Sequence, residues 1–210
     1  MYTHQQNIKV KGKPLTETGK ALILVHGRGS TAENILMLGA ELGAADFTLL
    51  APQATNHSWY PYSFMAPVSQ NQPALNSALE LLDATVNQVL DQGIKSEDIY
   101  LLGFSQGACL TSEYATRQAK RYGGLLLFTG GLIGEEIDET NYQGNFNGTP
   151  VLITTGDPDP HVPVSWVKES VKIMTEAGAV VTKKIYPGRP HTISAEELEL
   201  AKKLLQTGSL

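Results

Sequence analysis

The sequence predicts an α/β fold, a mostly parallel sheet covered by helices on both faces. Three observations lead there. Short apolar runs recur along the chain, among them ALILV, FTLLAP, IYLLG and GLLLF. Between them lie segments with apolar residues three and four apart, the period of a helix with one buried face. The two kinds of segment alternate from end to end, as strands joined by helical crossovers do.

The elements follow in order. IKVKGKP near the start is a candidate edge strand. Residues 21–27 are apolar up to a glycine and predict a buried strand. Ser30-Thr31-Ala32-Glu33 has the form of a capping box and opens a helix to about residue 42. A second buried strand covers 47–52, and a loop rich in proline, asparagine and aromatics fills 53–72. Over 73–92, Leu75, Leu79, Leu82, Val86 and Val89 define a helix that Gly93 closes. A strand at 99–103 leads to a helix over 106–120, and a strand at 124–130 leads to a loop over 131–149. The fifth strand, at 151–156, precedes a helix over 164–177 with Val167, Val171 and Met174 on one face. A half-exposed strand covers 180–188. Ser194, with Glu197 as box partner, caps a final helix that buries Leu198, Ala201 and Leu205.

At 210 residues the chain suits one domain, residues 1–210. A net charge of −5 with scattered lysines and arginines argues against nucleic acid as a partner. The longest apolar runs are too short to span a bilayer, so no stable membrane insertion is expected. One cysteine, Cys109, excludes a disulfide framework, and MYTHQQNIKVKGKP lacks the apolar core of a signal peptide. A cytoplasmic protein is the expectation. No cluster of ligand-type residues implies a metal, and no organic cofactor is implied either. The oligomeric state is open, a homodimer included.

Ligand sites in parallel sheets lie beyond the carboxyl ends of the strands. Those positions carry His26-Gly27-Arg28-Gly29, then Ser105, then Asp157 and Asp159, then His191. Gly103-Phe104-Ser105-Gln106-Gly107 sits between a strand and a helix, the setting of a nucleophile elbow. The turn is so tight that side chains two before and two after the serine would collide. The amide of Gln106 at the helix start is a candidate oxyanion donor. The second donor is expected from the loop after the first strand, where the Arg28 amide is the candidate; the same loop also suits a plain tight connection. His191, in YPGRPHTIS, is delivered over the sheet by a loop and is the candidate base. His161 is expected to be a surface loop residue, His4 part of a frayed tail, and His26 a structural residue beneath the site. The acid is Asp157 or Asp159, which the residues alone barely separate. Trp59, Tyr60 and Phe64 are candidates for binding substrate from the 53–72 loop, although such aromatics also pin long loops. Cys109 is expected to be a buried core thiol.

These residues resemble the phospholipase/carboxylesterase family of small α/β-hydrolases, which includes acyl-protein thioesterases and bacterial carboxylesterases. The resemblance covers nearly the whole chain. It rests on His26 to Gly29, Trp59-Tyr60, Gly103 to Gly107, Asp159 to Pro163, and His191. It implies an α/β-hydrolase fold with a minimal lid and assigns the acid to Asp159, which heads Asp-Pro-His-Val-Pro. It also implies a serine hydrolase that cleaves small-molecule carboxylic esters, thioesters or lysophospholipids through an acyl-enzyme. Ser30, Pro61, the Thr154-Thr155-Gly156 stretch and Ala108 depart from the family pattern around the pocket and bear on substrate choice.

Two other classes compete. A non-catalytic binder on the same fold would not need the serine, acid and histidine. Gly27-x-Gly29-x-x-Ala32 also matches a dinucleotide-binding turn, but the next strand ends in Ala51-Pro52-Gln53, without the acid an oxidoreductase of that type requires.

Overall fold

The computed structural model describes residues 2–210. Seven strands form one sheet: β1 (Ile8–Lys11), β2 (Ala21–Val25), β3 (Thr48–Pro52), β4 (Ile99–Phe104), β5 (Gly124–Phe128), β6 (Pro150–Asp157) and β7 (Val180–Pro187). Their order across the sheet is β1-β3-β2-β4-β5-β6-β7. β1 pairs antiparallel with β3, and every other pairing is parallel.

The helices are α1 (Leu15–Thr18), α2 (Ala32–Glu41), α3 (Ala74–Leu90), α4 (Gln106–Arg117), α5 (Val164–Glu176) and α6 (Ala195–Thr207). Side chains alternate across each strand, so the sheet feeds two cores. Ile23, Val25, Leu101, Leu125 and Leu127 point to the side covered by α3, α4 and α5. Leu22, Leu24, Leu102, Leu126 and Phe128 point to the side covered by α2 and α6. Burial on both faces explains why these strands are apolar throughout instead of alternating. β7 closes one edge and stays half exposed, as its lysines require.

Three details differ from the sequence reading. Thr31, not Ser30, caps α2: its hydroxyl accepts the Asn34 amide at 3.1 Å, so no Ser30–Glu33 box forms. The cap falls one residue later because the chain is still extended at Thr31. Leu79 is only half buried, since the inner face of α3 runs through Leu75, Ala78, Leu82 and Val86. α4 stops at Arg117. At α6 the expected capping box is present, with the Glu197 carboxylate accepting the Ser194 amide at 2.7 Å.

Candidate active site

The sheet delivers Ser105 at its centre. β4 lies between β2 and β5, and the Ser105 amide still donates to the Phe128 carbonyl of β5 at 2.9 Å. One residue later α4 begins. To turn that sharply Ser105 takes φ 55° and ψ −121°, a conformation that costs a side-chain-bearing residue roughly 1–3 kcal/mol. The flanking glycines make the turn physically feasible. A Cβ on Gly103 would run into the Gly107 carbonyl, and one on Gly107 would run into the Val25 carbonyl.

His191 reaches the serine from the loop between β7 and α6. Its Nε2 lies 2.8 Å from Ser105 Oγ, and its Nδ1 lies 2.8 Å from Asp159 Oδ2. An ionised carboxylate only accepts, so Nδ1 carries the proton and Nε2 accepts from the Ser105 hydroxyl. The Asp159 side chain is wholly shielded from solvent, whereas His191 is 20% exposed. Asp159 Oδ1 accepts the amides of His161 and Val162, both at 2.9 Å. Burial pushes the Asp159 carboxyl up, but those amides and His191 outweigh it and hold it below the usual 3.8. Asp157 points to solvent at the end of β6, and its carboxylate meets neither histidine. Of the two acids after β6, it is Asp159 that faces His191.

The amides of Gln106 and Arg28 make no hydrogen bond among the described residues. Gly27 packs against Ser105, where an added Cβ would stand 3.4 Å from the serine Cβ. The Arg28 loop therefore lies directly beside Ser105. The Arg28 side chain donates to the carbonyls of Pro61 (2.7 Å) and Tyr62 (2.5 Å). It fastens the 53–72 loop across the site.

A cleft of about 570 Å³ opens over Ser105 and His191. Phe64 and Met65 line it with apolar surface, the buried Tyr60 and Val162 back its wall, and Arg28 and His161 add polar groups. Two candidates for binding substrate border the cleft, Phe64 at its surface and Tyr60 as a fully buried residue of its wall. Trp59 does not and is corrected: it is fully buried, and its indole N–H donates to the His26 carbonyl at 2.7 Å. A fully buried indole has no surface left for a ligand.

The remaining histidines near the site and the cysteine divide between expected and unexpected places. His4 is no frayed-tail residue: its Nδ1 accepts the Thr55 amide at 3.0 Å and its Nε2 donates to the Trp59 carbonyl at 2.9 Å. His161 is exposed as expected, but its ring packs edge-on to His191 with centroids 5.0 Å apart. His26 is structural, its Nδ1 donating to the Gly27 carbonyl and its Nε2 accepting the Ala54 amide. Cys109 is buried one turn along α4 from Ser105, and burial pushes its thiol up to about 12, which leaves it inert as a nucleophile. Among the described residues no group of three or more His, Cys, Asp or Glu is placed to hold a metal, and no helix is long and apolar enough to cross a membrane.

The phospholipase/carboxylesterase family profile matches residues 6–209. The crystal structure of a phospholipase/carboxylesterase from Dyadobacter fermentans is 55% identical, covers 99% of each chain and superposes with a TM-score of 0.97. A probable SOBER1-like carboxylesterase of Arabidopsis thaliana is 28% identical over 71% of this chain and 58% of its own. Acyl-protein thioesterase 1 of Kluyveromyces lactis is 30% identical over 60% of this chain and 56% of its own. The match thus spans a little over half the length of these two curated relatives. The profile runs through the elbow, the acid loop and the His191 loop alike, and the chain belongs to the phospholipase/carboxylesterase family of α/β-hydrolases.

Proposed function

We propose that the chain is a serine esterase acting on small carboxylic esters. Ser105 Oγ attacks the ester carbonyl while His191 Nε2 takes its proton. Asp159 keeps the imidazole in the tautomer with Nδ1 protonated and stabilises the imidazolium that forms. The amides of Gln106 and Arg28 receive the developing oxyanion, aided by the positive end of α4. His191 then protonates the departing alcohol. In the second half it activates a water that releases the acid from Ser105.

The observation that carries this reading is the unbroken hydrogen-bonded chain Ser105–His191–Asp159 at the floor of an open cleft. The apolar wall of Phe64 and Met65, backed by the buried Tyr60, supports an acyl group bound on the side of the 53–72 loop. One sheet running from residue 8 to residue 187 supports a single catalytic domain. The buried, lone thiol fits a reducing compartment such as the cytoplasm.

The test is hydrolysis of p-nitrophenyl esters of increasing acyl length beside an acyl thioester. Turnover of at least one series, lost in Ser105→Ala by about 10³-fold or more, is the expected result. Ligand binding without turnover in the wild type would favour the non-catalytic binder instead.

A further inference from the structure

His191 stands in a stretch without regular structure, between the end of β7 at Pro187 and the start of α6 at Ala195. Ser105 and Asp159 hold its ring, but neither holds its main chain. A buried guanidinium does. Arg189 is only 8% exposed, and its Nη1 donates to the carbonyls of Pro190 (3.0 Å) and Thr192, the residues on either side of His191. Its Nη2 donates to Thr129 Oγ1 at 2.8 Å, on the turn after β5.

The charge is matched from α6. Glu197 is fully buried, and its Oε2 lies 3.5 Å from Arg189 Nε. The same carboxylate accepts the Thr154 hydroxyl of β6 and the Ser194 amide. A single ion pair thereby joins the His191 loop to the turn after β5, to the middle of β6 and to a helix N-terminus. Such a buried pair is a poor source of stability, since desolvation of both charges offsets most of their attraction. What apolar side chains in its place would lack is a rigid planar set of donors directed at several fixed acceptors.

We infer that Arg189 is a positioning residue for the reaction: it fixes the two carbonyls that flank His191, so the imidazole meets Ser105 in the reacting geometry. The inference rests on the proposed roles of Ser105, His191 and Asp159. Arg189 does not line the cleft, so its effect belongs to kcat and not to substrate binding.

Steady-state kinetics of Arg189→Met and Arg189→Lys on a p-nitrophenyl ester test this, run well below each variant's Tm. Rates are expressed per active site, counted by fluorophosphonate labelling carried to completion. Arg189→Met is expected to lower kcat by about 10²-fold with KM within about twofold, because small displacements of a reacting group carry costs of that size. Arg189→Lys keeps the charge facing Glu197 but offers a flexible ammonium, and it should recover part of the loss. A kcat per site within about threefold of wild type in Arg189→Met, or a lysine variant no better than the methionine, overturns the proposal.

Should Arg189→Met fail to fold, Thr129→Val removes only the Nη2 partner and leaves the ion pair intact. It should lower kcat by about fivefold at constant KM, and an unchanged kcat counts against the clamp. A wild-type protein that neither hydrolyses the ester nor labels at Ser105 removes the underlying reading as well, which sets that failure apart from a silent Arg189.

Discussion

Gln106 binds the main chain of Trp59 with its side chain: Oε1 accepts the Trp59 amide at 3.0 Å, while Nε2 donates to the next carbonyl, Tyr60, at 2.8 Å. The side chain of the residue after Ser105 thus ties the cleft wall to the elbow. Gln106→Ala keeps the amide but strands two buried main-chain groups, at a cost of about 1–3 kcal/mol. Urea denaturation should show that loss, and kcat/KM should fall because Tyr60 is no longer held against the cleft.

The elbow glycines admit no side chain. In Gly103→Ala and Gly107→Ala the new methyl meets main-chain carbonyls, which cannot swing aside as a flexible side chain would. Each variant should lose about 3 kcal/mol or more, or fail to fold, and Tm in a thermal scan measures this. Gly29→Ala meets no atom but sits at φ 77°, so its cost should be smaller, about 1 kcal/mol.

Stability should fall on acidification. Burial is the main cause that lowers both His26 and His4 below the ordinary 6.5, against opposing bonds to the backbone. Each ring accepts a main-chain amide, Ala54 and Thr55 respectively, and protonation destroys that acceptor. The unfolded chain binds protons that the folded chain resists, so the contribution is complete above 6.5 and declines as pH drops below it. Asp159 adds a second loss lower down, as pH falls from the usual 3.8 toward its depressed folded value. Urea midpoints at about pH 7.5 and about pH 5 should differ, and His26→Asn should flatten the difference.

The two acids after β6 should separate cleanly. Asp159→Asn loses the carboxylate that orients His191 and should lower kcat by about 10³–10⁴-fold. Asp157→Asn alters an exposed carboxylate and should stay within about twofold of wild type. Single-turnover rates for the two variants check this.

The strands were legible because apolar runs covered on both faces leave a signature in a few consecutive residues. The elbow was legible because glycines two before and two after Ser105 reflect a local collision. The order of Ser105, the acids and His191 could be read for the same reason: each ends a strand that can be recognised by itself. The 53–72 loop was not legible in this way. Whether Trp59 lines a cleft or fills a core depends on what His26 and Gln106 present to it, 33 and 47 residues away along the chain. His4 was misplaced for the same reason, since its partners Thr55 and Trp59 lie more than fifty residues on. The α2 cap was displaced by one residue because Ser30 and Thr31 are equally good caps, and only backbone conformation chooses between them.

The claim that Ser105 is the attacking group is tested most directly by mapping a fluorophosphonate adduct by mass spectrometry. One adduct per chain is predicted, on the peptide that carries Ser105, with none in Ser105→Ala and strongly slowed labelling in His191→Ala. Ester turnover by a wild-type protein that takes up no label at Ser105, or labelling that persists in Ser105→Ala, would contradict it.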